Sequence, residues 1–461
     1  MSFKSENNEL LKFILDTAFF SGWSDKNCSS DLNGGSRVSS LELYVTSECN
    51  QKCEYCYLNR YGDKLYPAEL RNEKNILNNL DILLKYAVKN WPYLRHIDIF
   101  SGEIVGTQIF FNVLDIIKKY KEQGLNELEE IIVPTNFSFI HSQEMTEKIQ
   151  NYIDDFNKNY NIRLALSASI DGYIIEDFSR PQKIYHKRDM NFYHKSFQFM
   201  KKNGFCAHPM IAACSVDKWI ENYKWFVDMC EQYDFNVLQQ VMTLEVRNDD
   251  WTDEAISHYQ EFLKFYCDYH FEHRYDSDPR KFAKMSLGLN EERNGYTNFL
   301  LLDATQFPTC SVAYQLTVRL GDLSIAPCHR TAYPEFLYGK FITKNNEIID
   351  IEANNPVIAT KILLSNQRKT HHGCDTCWNV NSCIRGCFGA QYEYGDEPFM
   401  PLHSVCKMFK AKTRCLIQWY KDHGIIDAIK QIAQEEKQSQ TEIQKFIETF
   451  EEIDKRSQIE E

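Results

Sequence analysis

Short segments in which apolar and polar residues alternate recur along the first half of the chain, separated by stretches with helical spacing. The first runs from Leu41 to Val45 and is rich in β-forming residues, so it predicts a strand. Further strands are predicted at 96–100, 130–134, 163–170, 207–213 and 236–241. Helices are predicted between them at 76–89, 109–120, 142–158, 193–203 and 219–232, and a long helix begins near Thr252. Strands separated by helices indicate βαβ units around a parallel sheet.

These repeats number about six, too few for the eight of a complete barrel. The predicted fold class is therefore α/β: a partial (β/α)6 barrel, then a small cysteine-rich domain and a C-terminal helical tail. Changes of pattern predict five segments: a helical and loop extension at 1–37, the partial barrel at 38–249, a helical bridge at 250–304, short strands and turns rich in Cys, Pro and Gly at 305–410, and the tail at 411–461.

Charge and hydropathy exclude several classes of partner. The chain has 461 residues, 52 basic and 65 acidic, for a net charge of −13. This acidic excess argues against a mainly electrostatic grip on nucleic acid or on an anionic membrane. No apolar run approaches the roughly 20 residues that span a bilayer. The run from Leu10 to Phe20 is broken by Lys12 and Asp16, so it does not read as a signal peptide. We expect a cytoplasmic protein without nucleic-acid or membrane partners.

The sixteen cysteines are the unusual feature of the composition. The cytosol keeps thiols reduced, so many cysteines in such a chain indicate metal binding more than disulfides. Eleven of them fall into two groups, at 49–56 and at 310–415. The other five are scattered and are expected to be small buried hydrophobes: Cys28, Cys206, Cys214, Cys230 and Cys267.

The first group follows the first predicted strand directly. Cys49, Cys53 and Cys56 have the spacing Cx3Cx2C. Three thiolates on one short loop hold three corners of a four-iron cluster and leave the fourth iron open. Zinc would need a fourth protein ligand, and no His or Cys follows nearby. The loop resembles that of the radical S-adenosylmethionine (SAM) superfamily, with Tyr55 in the aromatic position before the last cysteine.

Other strand ends resemble further motifs of that superfamily. The second strand ends in Ser101, Gly102 and Glu103, similar to the Gly-Gly-Glu motif near the SAM amino group, although Ser101 replaces the first Gly. An ordinary strand-to-helix turn is the alternative. The third strand ends in Thr135 and Asn136, where the family often has Thr-Asn-Gly. The resemblance implies that these residues contact SAM.

The end of the fourth predicted strand resembles that of peptide- and protein-modifying members. By that resemblance Ser169 contacts the ribose of SAM, and Arg180 makes a charge-assisted contact with its carboxylate. Asp171 belongs to the same stretch. It either contributes to the cofactor site or caps the loop as a turn residue.

The second cysteine group resembles the SPASM domain, an accessory module that carries two auxiliary iron–sulfur clusters. The resemblance implies a distal cluster on a complete set of four thiolates and a nearer cluster on three: Cys374, Cys377, Cys383 and Cys406 for the first, and Cys310, Cys328 and Cys387 for the second. Two zinc sites are the alternative, since spacing alone does not fix the metal. The nearer cluster has an open iron or uses Cys415, Asp303 or a more distant group.

His329 follows Cys328, at a position where anaerobic sulfatase-maturing enzymes carry an Asp that serves as their base. An imidazole is suited to general-base catalysis near neutral pH. His329 is therefore either a general base or a structural histidine, and its presence lowers the expectation of a sulfatase maturase.

The resemblance implies an enzyme with three [4Fe-4S] clusters and SAM, which cleaves SAM reductively and abstracts hydrogen from its substrate. The leading hypothesis is a maturase that forms a Cys thioether in a ribosomally made precursor peptide, with flavodoxin or ferredoxin as reductant. Alternatives are carbon–carbon cross-linking or other oxidation of a peptide, formylglycine formation in a sulfatase, and dehydrogenation of a small molecule. The non-enzymatic alternative is an iron–sulfur protein that serves in electron transfer or as a scaffold. The 40 residues before the first strand are too few for a winged-helix leader-binding domain.

Overall fold

The computed structural model describes residues 7–9, 11, 38–181, 188–235, 245–248, 250–287, 315–355, 373–380, 382–383, 386–395, 400–435 and 440–459. These residues form two compact units. The first contains every strand described below together with the helices that connect the first four of them. The second contains the turn at 171–179 and the helices that follow residue 206, whereas the segment 310–366 belongs to the first unit.

One eight-stranded sheet organises the first unit. Its strands are β1 (Ser40–Tyr44), β2 (His96–Phe100), β3 (Glu130–Thr135), β4 (Arg163–Ala168), β5 (Leu316–Arg319), β6 (Ser324–Ala326), β7 (Gly339–Lys344) and β8 (Glu347–Ala353). They lie in the order β4-β3-β2-β1-β5-β6-β7-β8. The five strands from β4 to β5 are parallel, and β6, β7 and β8 continue the sheet as antiparallel neighbours. The sheet is therefore a βα series extended by an antiparallel meander.

Side chains alternate between the two faces of the central strands. Leu41 and Leu43 of β1 are fully buried on one face, together with Ile97 and Ile99 of β2. The opposite face carries polar and aromatic residues, because Glu42 is paired in register with Asp98, and Tyr44 with Phe100. A parallel sheet covered on both faces reads as a nearly continuous buried run, and β1 is buried along its whole length.

The α-helices of this unit whose full extent is described are α1 (Tyr57–Leu65), α2 (Glu73–Asn90), α3 (Gln108–Gln123), α4 (Gln143–Asp155) and α6 (Met190–Asn203). Side-chain caps fix several of their starts, because an oxygen at the N-cap satisfies a free backbone N–H. Asn72 accepts from Asn75 N at 3.1 Å, Ser142 from Met145 N at 3.2 Å, and Asp189 from Phe192 N at 3.1 Å. A π-helical turn extends α4 over Phe156–Tyr160.

The second unit is helical in its described part. Its helices are α5 (Glu176–Ser179), α7 (Trp219–Tyr233), α8 (Asp253–Tyr275), α9 (Pro279–Ser286), α10 (Phe388–Tyr394), α11 (His403–Asp422), α12 (Ile425–Glu435) and α13 (Gln440–Ser457). Thr252 caps α8 through a bond from Ala255 N at 3.2 Å. An aromatic cluster of Phe271, Phe282 and Trp419 packs α8, α9 and α11 together. Among the described helices, none combines the length and the apolar character needed to cross a membrane.

The structure confirms the α/β prediction, and most predicted elements match to within a few residues. The predicted strand at 207–213 differs: its described pairing is an isolated parallel bridge between Ile211 and Glu245. The predicted strand at 236–241, and most of the amphipathic N-terminal stretch, lie outside the described residues. β5 and β6 are short strands within the segment 305–410, where short strands and turns were predicted, but the pairing of β5 with β1 was not predicted. The five segment boundaries remain predictions.

Arg319 ties β5 to the end of α1. It is 4% exposed, donates to Leu65 O at 2.7 Å and Ala332 O at 3.1 Å, and pairs with Asp322 at 2.8 Å. Removing one partner of a buried ion pair leaves the other uncompensated. We expect Arg319→Met to lower the free energy of unfolding by about 3 kcal/mol, measured by thermal or urea unfolding.

The matched control is Arg163→Met, because Arg163 is 59% exposed and pairs with Glu130 at the surface. Its effect should stay below about 1 kcal/mol. Equal effects of the two substitutions would contradict the role assigned to Arg319.

Candidate functional site

The three cysteines of the first group lie on the loop between β1 and α1, at the carboxyl end of β1. Cys56 is the N-cap of α1, and its N–H donates to Cys53 O at 3.0 Å. Asn59 Nδ2 donates to the same carbonyl at 2.8 Å, and Gln51 N donates to Cys49 Sγ at 3.4 Å. Hydrogen bonds within the loop, together with the one from Asn59, therefore fix its conformation. Its last thiol sits at the positive end of a helix dipole, which favours negative charge.

Burial disfavours the thiolate form of these cysteines. It raises the pKa of Cys49 to about 11 and also raises the pKa of Cys56. The Arg180 guanidinium acts in the opposite direction on both thiols. Because a metal-bound thiol is deprotonated outright, three buried thiols on one loop fit a cationic metal group. Within the described residues, no group of three His, Cys, Asp or Glu side chains is arranged to hold a single metal ion. A cubane cluster has a different requirement, because each thiolate binds a different iron.

The turn after β2 lies directly against the cysteine loop. Gly102 N donates to Thr46 O at 2.9 Å, and Glu103 N donates to Glu48 O at 2.8 Å. A Cβ on Gly102 would lie 1.9 Å from the Glu48 carbonyl oxygen. This close approach of two backbones therefore requires glycine at position 102, independently of any ligand that the turn binds.

Glu103 joins the ends of β2 and β3. One carboxylate oxygen accepts from Asn136 N at 2.5 Å, and the other accepts from Val105 N at 3.0 Å and from Thr135 Oγ1 at 3.0 Å. Burial raises the pKa of Glu103 to about 7. Asn136 in turn donates through Nδ2 to Asn50 Oδ1 at 2.6 Å. The predicted residues Gly102, Glu103 and Asn136 therefore meet at the cysteine loop.

The segment around Arg180 also reaches this loop. Arg180 is 7% exposed, and Lys52 N donates to the carbonyl of its neighbour Pro181 at 2.7 Å. Ser169 N donates to Thr135 O at 2.8 Å, which continues the pairing of β3 and β4 past their ends. Tyr55 is half-buried on the loop itself. The structure therefore places Arg180 beside the cysteines and Ser169 beside the end of β3.

Asp171 belongs to the second unit and is fully buried. Its carboxylate accepts from Ser179 Oγ at 2.7 Å and from Met210 N at 2.9 Å. Its carbonyl accepts from Asn222 Nδ2 at 2.8 Å. Both carboxylate oxygens thus hold the chain around this turn, and the geometry favours the turn-residue alternative for Asp171.

Several buried polar atoms around the cysteine loop have no hydrogen-bond partner in the part of the chain that is described: Gln51 Nε2, Ser101 Oγ, Tyr44 Oη and Tyr57 Oη. An unsatisfied buried polar group costs about 1–3 kcal/mol, so such groups in a native protein indicate an additional partner. Their position next to the three thiols fits a polar cofactor in addition to a metal cluster.

A row of polar side chains crosses β1, β2 and β5 two residues before the end of each strand. Glu42, Asp98 and Thr317 are paired in register on β1, β2 and β5. Gln315 Nε2 donates to Asp98, and burial together with the neighbouring Glu42 raises the pKa of Asp98 to about 7. Sequence reasoning missed Glu42 and Asp98. The signal was available, because each is an acidic residue between two aliphatic residues in the middle of a strand.

His329 faces the same row. Its Nδ1 lies 2.9 Å from Glu42 Oε2, and its ring stacks on Phe100 with 3.4 Å between ring centroids. Burial raises the pKa of Glu42, but the facing His329 outweighs burial, so the net shift is downward. The Arg330 guanidinium lies 4.8 Å from the centre of the Tyr57 ring. The structure thus brings the predicted base to a charged partner that the sequence did not reveal.

The second cysteine group divides between the two units. In the second unit, burial and the nearby thiols of Cys383, Cys374 and Cys377 together raise the pKa of Cys406 to about 12. The four residues predicted to hold the distal cluster are therefore neighbours. Cys387 is the N-cap of α10.

The four further candidate ligands of the nearer cluster are Cys328, Cys415, Cys310 and Asp303. Cys328 belongs to the first unit and is 7% exposed, with Sγ 3.3 Å from Thr331 Oγ1. Cys415 is buried on α11, and its thiol donates to Gln260 O at 3.7 Å. Cys310 and Asp303 lie outside the described residues.

The scattered cysteines only partly follow the expectation of burial. Cys267 is buried, and Cys206 and Cys230 are half-buried. Cys214 is exposed, contrary to the expectation, because it lies in the irregular segment before α7. Cys28 is outside the described residues.

A cleft of about 700 Å³ opens on the side of the cysteine loop that faces α1. Its lining includes Cys49 and Cys53 from the loop, and the cations Lys52, Arg60 and Arg71. The cysteine loop therefore borders a cleft that is open on this side.

No protein-family profile matches the chain. One curated relative, the "Radical SAM cyclopropyl synthase TigE" of Paramaledivibacter caminithermalis, is 24% identical over 152 residues, which are 31% of this chain and 29% of that protein. The chain thus matches less than a third of the length of this relative.

Solved structures resemble the chain over more of its length. "Native anSMEcpe with bound AdoMet" has a TM-score of 0.53 and 16% identity, and the match covers 84% of this chain and 99% of that one. "Native anSMEcpe with bound AdoMet and Kp18Cys peptide" has a TM-score of 0.54 and 16% identity, over 84% and 98% of the two chains. The chain has the fold of these structures, which are described with bound AdoMet, and over 152 residues it is similar to a curated radical SAM enzyme.

Gly102→Ala tests the contact between the turn after β2 and the cysteine loop. The added Cβ meets the Glu48 carbonyl oxygen at 1.9 Å, so the loop must move. We expect a loss of about 3 kcal/mol of stability and reduced iron uptake on anaerobic reconstitution. Gly204→Ala is the control, since its Cβ meets nothing within 4 Å and carries only the strain of φ +66°. Full iron uptake by Gly102→Ala would contradict the assignment.

Asp98→Asn tests the buried carboxyl beside Glu42. The pKa of Asp98 is raised from 3.8 to about 7, so its protonated form stabilises the fold and this contribution is lost as pH rises between those values. The variant does not titrate. Relative to the wild type, it should therefore gain about 1–3 kcal/mol between pH 4 and pH 8, measured by urea unfolding.

Asp276→Asn is the control for this pH dependence, because the Asp276 side chain is 76% exposed. Its effect should be small and the same at both pH values. A pH-independent difference between Asp98→Asn and the wild type would refute the raised pKa.

Proposed function

We propose that the chain cleaves SAM reductively at a [4Fe-4S] cluster and uses the resulting radical to modify a ribosomally made peptide. The observation that carries this proposal is the convergence of Glu103, Asn136 and Arg180 on a loop with three cysteines at the carboxyl end of β1. Ligands of βα folds bind at the carboxyl ends of the strands. The proposal therefore joins a metal-ligand set to a polar site in the place where this fold binds ligands.

Cys49, Cys53 and Cys56 would hold the cluster, which when bound supplies the electron that cleaves SAM to methionine and a 5′-deoxyadenosyl radical, and this radical takes hydrogen from the substrate. Arg180 provides a buried cation for the SAM carboxylate. The turn 101–103 provides backbone and the Ser101 hydroxyl close to the loop. Glu103 is engaged with backbone N–H groups, so its part is to hold the turn and Asn136 in place.

A peptide is the substrate class that the comparisons favour, because a solved structure with this fold is described with a bound peptide. Within that class we propose thioether formation at a substrate cysteine. The motif supporting it is the three-cysteine set Cys310, Cys328 and Cys387, which leaves an iron of the nearer cluster open for a thiolate. Formylglycine formation is disfavoured, because His329 replaces the Asp of the sulfatase-maturing enzymes.

Carbon–carbon bond formation in a peptide is the second candidate. It is favoured by the curated relative, which is named a cyclopropyl synthase. The two candidates differ in the fate of the substrate thiol, since only a thioether consumes it. Dehydrogenation of a small molecule would proceed without any peptide.

We propose three [4Fe-4S] clusters in all, with auxiliary clusters on the second cysteine group. A small redox protein such as flavodoxin or ferredoxin would be the reductant. The cleft lined by Cys49 and Cys53 supports electron entry from outside the loop.

The test is anaerobic reconstitution with assays of iron and of 5′-deoxyadenosine. We expect about twelve irons per chain and SAM cleavage after reduction. Cys56→Ala should lose about four irons and all SAM cleavage. Cys214→Ala, a change at an exposed cysteine outside both groups, should retain both. SAM cleavage by Cys56→Ala would refute the proposal.

The substrate is tested with short cysteine-bearing peptides encoded beside the gene. A thioether product loses two hydrogens and one free thiol, detected by mass spectrometry with and without alkylation. A product that loses two hydrogens and keeps every thiol free would favour the carbon–carbon alternative.

A further inference from the structure

A buried carboxylate holds the imidazole of His329 at two points. Glu42 is 3% exposed, and its Oε2 lies 2.9 Å from His329 Nδ1. Its Oε1 accepts from the backbone N of His329 at 3.0 Å and from Thr317 Oγ1 at 2.9 Å. One side chain from the middle of β1 thus fixes both the backbone and the ring of His329.

The plane of the ring is fixed by an aromatic neighbour. Phe100, the last residue of β2, stacks on the imidazole with 3.4 Å between centroids and 7° between planes. The Tyr57 ring lies 6.1 Å away. Tyr57 follows Cys56 directly, so His329 lies at the same end of the sheet as the cysteine loop.

These contacts define the roles of the two ring nitrogens. A carboxylate is an acceptor only, so Nδ1 must carry the hydrogen of this bond. In the neutral imidazole the hydrogen at Nδ1 leaves Nε2 as an acceptor. Nε2 has no hydrogen-bond partner within the described residues, and the side chain is 22% exposed. A histidine that served only to attach its loop would not need a free nitrogen on the open side.

We propose that Glu42 is a positioning residue that presents His329 Nε2 as the acceptor for a hydrogen-bond donor on the substrate peptide. This inference rests on the proposed function, because it assigns the substrate group to a peptide. The acceptor is set beside the cysteine loop, where the reacting part of the peptide would lie. Glu42 itself does not touch the substrate; it acts through the orientation and the tautomer of His329.

The test is carbethoxylation of the full-length protein by diethyl pyrocarbonate at pH 8, followed by mass spectrometry of the peptide that contains His329. The reagent attacks an unprotonated ring nitrogen. In the wild type His329 should react at Nε2. His258, whose side chain is 37% exposed, serves as the internal reference for the dose of reagent.

In Glu42→Gln the amide nitrogen donates to Nδ1, so the ring hydrogen moves to Nε2. The rate at His329 should fall by about tenfold, because a hydrogen bond to the ring sets the tautomer equilibrium. Glu42→Asp keeps the carboxylate and should restore part of the rate. Glu347→Gln makes the same change in an exposed ion pair with Lys85, and should leave the rate unaltered.

Two results would overturn the inference: an unreactive His329 in the wild type, or equal rates in the wild type and Glu42→Gln with circular dichroism unchanged. SAM cleavage by the reconstituted wild type is measured separately. Its failure would refute the proposed function, whereas the carbethoxylation rates decide whether Glu42 positions the imidazole.

Discussion

The backbone contact between the cysteine loop and the turn after β2 is the constraint on which the site depends. Two hydrogen bonds, Gly102 N to Thr46 O and Glu103 N to Glu48 O, fasten the loop to the neighbouring strand end. They form only because position 102 carries no side chain. From this contact the carboxylate of Glu103 reaches Asn136 at the end of β3. These hydrogen bonds within the protein therefore hold the cysteine loop, the end of β2 and the end of β3 together.

The same part of the sheet buries two carboxyl groups, and burying an ionised carboxyl group is energetically unfavourable. Glu42 and Asp98 are adjacent carboxyls, and burial alone would disfavour the ionised form of either. Glu42 is hydrogen-bonded to His329, while Asp98 receives a hydrogen bond from Gln315. Natural proteins keep such groups mainly where function requires them, because apolar residues would stabilise the strand more. The row of polar residues on β1, β2 and β5 is the part of the sheet in which we propose a positioning role for Glu42.

The row of polar residues depends on the position of β5 beside β1. This strand is separated from β1 by most of the chain, yet it pairs with β1 in parallel and supplies Thr317, and the turn after β6 supplies His329. The cysteine-rich part of the sequence therefore contributes to the same sheet as the first cysteine loop. Cys328, beside His329, is carried to that sheet by the same pairing.

Local patterns in the sequence were enough for the βα series and for the position of the cysteine loop after its first strand, because strand alternation, helical period and ligand spacing are encoded within a few residues. They also pointed to Gly102, Glu103 and Asn136, since each follows a strand whose end is recognisable. Arg180 was named through the family resemblance, and the cofactor contacts of all four residues remain predictions. Only the tertiary structure decided that β5 lies beside β1, that Glu42 holds His329, and that Asp171 is engaged with Ser179 and Met210. Those contacts join residues far apart in the chain, and no local pattern records which distant strand becomes the neighbour of another.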